Sequence, residues 1–328
     1  MLSPYCPLQK NGTSYEAAPR PKIIFRYDRA ASQNLNIKLE FVEKDYWITQ
    51  VLCELSRSKF NDISVFKGGT SLSKGYDLIE RFSEDVDLAI IDDGNSSGNK
   101  IKTIIRSLEK EITHGLNEIK TKGITSKGSQ FRKSVFEYPS ISKINSGNNL
   151  IVEINSFANP FPYKRLSIKS MVYDFLVQTG YETYINQYDL NPFEVNVLSM
   201  EQTLLEKLVS LIRFSFNSNP IESVSQKIRH FYDLYYLMSN TECALFVSSK
   251  SFKQRFVEIV EHDRQIFDEP SGWQSKQIID SPLVNDFDNL WAQLKITYQT
   301  ELSAYAYRPI PNEVDVSICI KKLIQQIY

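Results

Sequence analysis

The chain has 328 residues, 42% hydrophobic and 23% charged, with only 12 glycines but 18 Tyr and 19 Phe. That balance describes a packed, aromatic-rich globular protein with room for two average domains, and it excludes a disordered or fibrous chain. Lys and Arg total 38 against 39 Asp and Glu, a net charge of −1, which excludes a uniformly basic coat for nucleic acid but not a local basic groove.

The first twenty residues are polar, carry Pro4, Pro7 and Pro19 with Pro21 just beyond, and read as a loose arm that runs to residue 37. Leu39, Val42, Tyr46, Ile48, Val51, Leu52 and Leu55 then recur at three- and four-residue intervals, which predicts a helix over 38–57. Residues 63–66 form a short β-prone run that stops at Gly68-Gly69; 70–81 read as a helix and 86–91 as a strand. A Gly-Asn-Ser-Ser-Gly cluster marks a turn at 94–98, and Ile101, Ile104, Ile105, Leu108, Ile112 and Leu116 give one apolar side to a helix over 101–119. Three runs rich in β-branched and aromatic residues, 131–138, 150–157 and 193–198, predict strands. From Ser199 the pattern turns helical, opened by the capping box Ser199-Met200-Glu201-Gln202. The expectation is an α+β chain: an arm over 1–37, a mixed-sheet core over 38–198 and a helical C-terminal domain over 199–328. Cys6, Cys53, Cys243 and Cys319 are scattered, so buried reduced thiols are expected rather than a disulfide framework or zinc knuckle. Without a basic-then-apolar leader, and without any apolar run near the ~20 residues a membrane helix needs, a soluble cytoplasmic protein is expected.

The informative stretch is Phe66-Lys67-Gly68-Gly69-Thr70-Ser71-Leu72-Ser73-Lys74, followed by Ser83-Glu84-Asp85-Val86-Asp87-Leu88. Gly68 and Gly69 end a strand and open a hydroxyl-rich helix start. There, backbone N–H groups at the positive end of the helix, with the Thr70 and Ser71 hydroxyls, suit a phosphate. Asp85 and Asp87, two apart on a strand, point to one face while Val86, Leu88 and Ile90 anchor the other. Two such carboxylates repel unless a cation joins them, and hard oxygen ligands favour Mg²⁺ or Mn²⁺ over zinc. Glu153, alone in the apolar run 150–154, suits the same cation, or else faces water from an edge strand. A Gly-Gly alone is usually only a turn; the conjunction of turn, helix, Asp-x-Asp strand and later acid is what points to chemistry. No Walker phosphate loop or Gly-x-Gly-x-x-Gly is present, and His114, His230 and His262 are isolated, which argues against zinc hydrolysis or a Ser-His-Asp triad.

These motifs resemble the nucleotidyltransferase signature of the DNA polymerase β-like superfamily, and more closely the AbiEii/AbiGii toxins of type IV toxin–antitoxin and phage-abortive systems. The segments Phe41-Val42-Glu43-Lys44-Asp45-Tyr46-Trp47-Ile48-Thr49, Arg81 to Leu88, Glu206-Lys207-Leu208 and Arg229-His230-Phe231-Tyr232-Asp233 are similar to that family too, over residues 40–240. His230 departs from it, standing where an acid is expected. The resemblance implies a polymerase β-like core followed by a helical domain. It further implies Asp85, Asp87 and Glu153 on the metal, a triphosphate cradled by residues 68–71, and Lys207 and Asp233 as further site residues. NTP would be the substrate, the 3′ end of tRNA the leading acceptor, and a separately encoded antitoxin the partner. From the residues alone, Lys207 reads better as a snorkelling surface lysine, and Asp233 as a simple helical pair with Arg229. Lys120, Lys122, Lys127, Arg132, Lys133 and Lys143, with Lys164, Arg165 and Lys169 near Phe161 and Tyr163, suit an RNA end or are solvated loops. The rival functions are phosphotransfer or nucleotidylation onto a protein hydroxyl, and a catalytically silent nucleotide-binding module.

Overall fold

A computed structural model describes residues 22–92, 97–140 and 148–328. The arm up to residue 21 with Cys6, most of the turn cluster at 94–98, and Lys143 lie outside the described residues. Among the described residues, eight strands build one mixed sheet: β1 (Ser64–Lys67), β2 (Asp85–Ile90), β3 (Asn117–Ile119), β4 (Ser126–Lys127), β5 (Phe131–Glu137), β6 (Asn149–Asn155), β7 (Tyr163–Ile168) and β8 (Phe193–Leu198). Their order is β3-β5-β6-β2-β1-β8-β7, with β4 also pairing β5. At its centre β1 runs antiparallel to β2 and parallel to β8, while β2 runs parallel to β6.

The helices are α1 (Lys22–Leu35), α2 (Leu39–Arg57), α3 (Gly68–Lys74), α4 (Gly98–Ile112), α5 (Met171–Gln178) and α6 (Thr183–Gln187), then α7 (Met200–Ser215), α8 (Pro220–Ser225), α9 (Arg229–Ser239), α10 (Thr241–Val247), α11 (Lys250–Ile266), α12 (Pro282–Asn285), α13 (Phe287–Tyr305) and α14 (Glu313–Gln325). Period-two alternation drives the first core. Val86, Leu88 and Ile90 of β2, with Leu150, Val152 and Ile154 of β6, are at most 1% exposed, and they pack with Val42, Leu52 and Leu55 of α2 and Ile105 and Leu108 of α4. The same alternation sends Asp85, Asp87 and Glu153 to the other face. A second core joins Leu204, Leu208 and Leu211 of α7 to Phe231 and Leu234 of α9 and Leu294 and Tyr298 of α13. Leu72 of α3 and Ile79 enter that second core, which packs the segment between β1 and β2 into the helical part of the chain.

Several elements differ from the sequence expectation. Residues 22–35, read as arm, form α1, whose Ala31 is fully buried. The helix expected over 70–81 stops at Lys74; Asp77 takes a positive φ of 52° and the chain then crosses to β2 without regular structure. The helix expected over 101–119 ends at Ile112, because Gly115 (φ 88°) supplies a left-handed turn into β3. Strands β3, β4 and β7 and helices α5 and α6 carry no clear periodicity and were not expected. Half of the capping box forms: Ser199 Oγ accepts from Gln202 N at 3.2 Å, but Ser199 N donates to Pro162 O, and the Gln202 side chain accepts from Arg255. Cys53 and Cys243 are buried free thiols, and Cys319 is half-buried. Among the described residues no helix is long and apolar enough to cross a membrane.

Buried Asn196 of β8 donates from Nδ2 to Asn61 O at 3.1 Å and Ser64 O at 3.2 Å, fixing the entry to β1 just ahead of the Gly-Gly turn. Replacing it with alanine strands those carbonyls. Asn196→Ala should lower the unfolding free energy by about 1–3 kcal/mol in urea denaturation; an unchanged midpoint would show that the bonds contribute nothing.

Candidate active site

Register sets the site. Parallel pairing of β2 with β6 places Asp87 beside Glu153, and antiparallel pairing of β1 with β2 places Lys67 on the other side of Asp87. Asp85, Asp87, Glu153 and Lys67 line a cavity of about 390 Å³ whose other walls come from α7, the start of α9, α11 and the segment after β6.

The carboxylates crowd one another. Burial, then Glu153, then Asp85 push the Asp87 carboxyl up to about 8, and Lys67 and Lys133 oppose this only in part. Asp85 is also raised, chiefly by burial. Lys133 Nζ holds Glu153 Oε2 at 3.1 Å, and Lys67 Nζ holds Glu206 Oε2 at 2.8 Å. Burial pulls both ammonium groups down, but their carboxylate partners outweigh it and the net shift is upward.

The Gly-Gly turn owes its composition to close approach. Gly68 has φ 82°, and a Cβ there would collide with Asp87 Oδ2. At Gly69 a Cβ would lie 2.6 Å from Arg81 Nη2 and 3.1 Å from Ser83 Oγ. The Thr70 and Ser71 hydroxyls do not face the cavity, contrary to expectation: Thr70 Oγ1 donates to Asp85 O at 2.6 Å and Ser71 Oγ to Gly68 O at 2.9 Å, both side chains being buried. They fix the start of β2 and the turn itself. No side chain caps α3, so its first N–H groups have no capping partner behind Lys67, Gly68 and Gly69, which line the cavity.

Behind the turn lies a buried ion network. Arg81 grips Asp233 in a fork, Nε to Oδ1 at 2.8 Å and Nη2 to Oδ2 at 2.7 Å, and Lys207 Nζ meets the same Oδ2 at 2.7 Å. Asp233 is fully buried, Arg81 3% and Lys207 6% exposed. Burial alone would raise the Asp233 carboxyl, but Arg81 and Lys207 hold it well below the usual carboxylate range. The expected Arg229–Asp233 pair does not form; the Arg229 guanidinium lies over the Tyr305 ring instead, 5.3 Å from its centroid. Arg81 is itself held by its surroundings, since Phe82 N donates to Tyr305 O, Tyr307 N to Glu80 O, and Glu80 N to the Tyr232 hydroxyl. Next to the network, burial and then Lys207 push the His230 imidazole well below its ordinary value, which keeps it neutral.

The profile of the family described as "Nucleotidyl transferase AbiEii toxin, Type IV TA system" matches residues 50–311. The chain belongs to the AbiEii family of nucleotidyltransferase toxins. Among solved structures it is similar to MenT4, a nucleotidyltransferase toxin from Mycobacterium tuberculosis H37Rv, at 14% identity over 92% of this chain and 98% of that one, with a TM-score of 0.52. That likeness is one of fold. An antigenic nucleotidyltransferase-like protein from Paracoccidioides brasiliensis matches 70% of this chain and 91% of its own at 17% identity, with a TM-score of 0.32. Comparison with curated protein sequences gives no match.

In this AbiEii chain the cavity gathers Gly68, Gly69, Asp85, Asp87, Glu153 and Lys207, with Asp233 bound directly behind Lys207. Sequence reasoning missed Arg81, Lys67 and Glu206 as site residues, and Lys133, grouped there with the RNA-end or loop cations, lines the cavity on Glu153 instead. The signal for Arg81 was its place four residues before Asp85 inside the quoted motif; Lys133 faces Glu153 only through the β5–β6 register. Among the described residues no group of three or more His, Cys, Asp or Glu side chains is gathered as a ready metal site.

The Asp87 shift fixes a pH dependence. Its folded value, about 8, lies above the ordinary aspartate value near 3.9, so the folded state binds this proton more tightly. The carboxyl therefore costs stability progressively as pH rises through the window between those values. Asp87→Asn removes that cost. With a chelator present, its melting temperature should gain progressively on the parent, by roughly 5–10 °C between about pH 5 and pH 9; a constant offset would contradict the shift.

Proposed function

We propose that this toxin transfers a nucleoside monophosphate from an NTP to an acceptor hydroxyl, the 3′ end of tRNA being the leading candidate, under the control of a cognate antitoxin. The observation that carries the reading is the placement of Asp85, Asp87 and Glu153 on paired strands, in one cavity with the uncapped start of α3. The donor set fits a hard divalent cation, because burial and then the Glu153 and Asp85 carboxylates push Asp87 up to about 8, a cost that a cation among these oxygens would relieve. Asp85, Asp87 and Glu153 would hold Mg²⁺ or Mn²⁺, and the ion, when bound, would supply positive charge to the phosphate oxygens.

The chain's own groups do the rest. Backbone N–H groups at residues 68–71 donate to the phosphates, and Lys207 presents its ammonium from α7 while Asp233 holds it in place. Pocket walls from α7 and α11 limit water. The acceptor oxygen bonds to the α-phosphorus, the bond to the bridging oxygen breaks, and pyrophosphate leaves with the electron pair. The acceptor's proton passes to Glu153, which adjoins the reacting centre. Support for an RNA acceptor is the run of cations outside the cavity. Lys164, Arg165 and Lys169 pair with Glu242, with Asp62 and Glu194, and with Asp174, but these half-exposed pairs are weak enough to exchange for phosphates. Lys127 pairs with Glu118 and Arg132 with Glu109.

The test is incubation of the purified protein with total RNA and each NTP labelled at the α- or γ-phosphate. We expect α-label on an RNA of tRNA size, absent from the folded Asp85→Ala/Asp87→Ala variant. A product carrying γ-label would make the enzyme a kinase, label on protein alone would overturn the RNA acceptor, and transfer by the double variant would remove the carboxylates from the mechanism.

A further inference from the structure

The cavity holds more positive charge than its carboxylates need. Among the described residues seven Lys and Arg side chains line it against five Asp and Glu. Lys67 and Lys133 are matched to Glu206 and Glu153, and Arg81 and Lys207 share Asp233. That leaves three on the helical wall, Arg213, Lys227 and Arg229, of which Arg229 lies over the Tyr305 ring. Lys227, in the turn before α9, has no carboxylate within ion-pair distance among the described residues; its ammonium lies 4.6 Å from the centroid of the Phe214 ring, which the Arg213 guanidinium also approaches at 5.1 Å. Arg213 is only 8% exposed, yet its Nε has no hydrogen-bond partner. The nearest carboxylate to Arg213, Asp263, stands off at 3.8 Å; Nη1 reaches only Glu269 O, at 3.5 Å, and the guanidinium lies on the Phe267 ring, 3.8 Å from its centroid.

Two cations gathered on one ring and short of counter-charge mark the place of a missing polyanion. Burial lowers the Lys227 ammonium, and Arg213 and Lys133 lower it further, a cost that an arriving anion would relieve. Lys207 cannot serve alone, because it shares Asp233 with Arg81 and the trio brings one net positive charge to a polyphosphate that carries several negative ones. We propose that Lys227 and Arg213 seat the β- and γ-phosphates of the nucleotide, on the helical wall of the cavity. The seat rests on the nucleotidyl-transfer reading for the identity of its ligand. It divides the labour: the carboxylates act at the α-phosphorus, and the departing pyrophosphate is drawn toward the helical wall.

The test is titration calorimetry of the full chain with inorganic tripolyphosphate, with each NTP and with the matching nucleosides, in the wild type and in Lys227→Gln, Lys227→Arg and Arg213→Gln. Lys227→Gln should weaken tripolyphosphate and NTP binding about tenfold or more while nucleoside affinity stays within about twofold, and Lys227→Arg should restore most of the loss. Arg213 is buried, so its variant counts only where circular dichroism and melting match the parent; half-exposed Lys227 carries the test by itself. Unchanged tripolyphosphate binding in Lys227→Gln overturns the seat, as does an equal loss of nucleoside affinity. A wild type that binds neither tripolyphosphate nor NTP overturns both the seat and the reading beneath it. A wild type that binds NTP no better than Lys227→Gln does overturns the seat alone.

Discussion

The carboxylate of Asp233 is wholly enclosed and held by two cations that reach it from distant parts of the chain, Arg81 from the segment before β2 and Lys207 from α7. Burying three charges carries a large desolvation cost, which an apolar trio of the same volume would avoid. What the network secures is position. Arg81 lies against Gly69, so the Gly-Gly turn, the start of α3 and the first residue of β2 are fixed relative to α7 and α9. The clamp adds to the Lys67–Glu206 pair, the backbone bonds of Glu80 and Phe82 to Tyr307 and Tyr305, and the packing of Leu72 and Ile79 in the second core.

Charge in the cavity is neutralised only in part, by the Lys67–Glu206 and Lys133–Glu153 pairs. Carboxylates collect on the β2–β6 face, where mutual repulsion and burial push Asp87 far up, and poorly matched cations collect on the helical wall, where Lys227 is pushed down. Each arrangement costs stability in the ligand-free protein. Both costs would be relieved together by a nucleotide that brings a polyphosphate to one wall and a divalent cation to the other. Such opposed shifts are the mark of a site shaped for a ligand.

Sequence periodicity was enough for the centre of the sheet, because β2 and β6 bury one face and alternation there is strict. Ser199 announced α7 through its hydroxyl, although Gln202 turned to Arg255 rather than back to the cap. The parts that could not be read depend on distance along the chain. Asp233 looked like a partner for Arg229 four residues earlier, and its real partner lies 152 residues away. Strand β7 hid behind Lys164 and Arg165 because it is the end strand of the sheet, where charged residues protect an open edge. Thr70 and Ser71 looked like ligand donors by type; only the fold shows that β2 and the turn claim their protons. Arg213 and Lys227 gave no signal at all, since the meaning of Lys227 lies in the carboxylate it lacks and that of Arg213 in how loosely Asp263 meets it, at 3.8 Å.

The clamp is tested most directly by a thermodynamic cycle in urea on Asp233→Leu, Arg81→Met and the double variant. Asp233→Leu strands two buried cations and should cost about 3–5 kcal/mol. Adding Arg81→Met should recover part of that loss, giving a coupling of roughly 2 kcal/mol or more between the two positions. Losses that simply add, to within about 0.5 kcal/mol, would mean that Arg81 and Asp233 do not hold each other, and the account of how this site is assembled would fail.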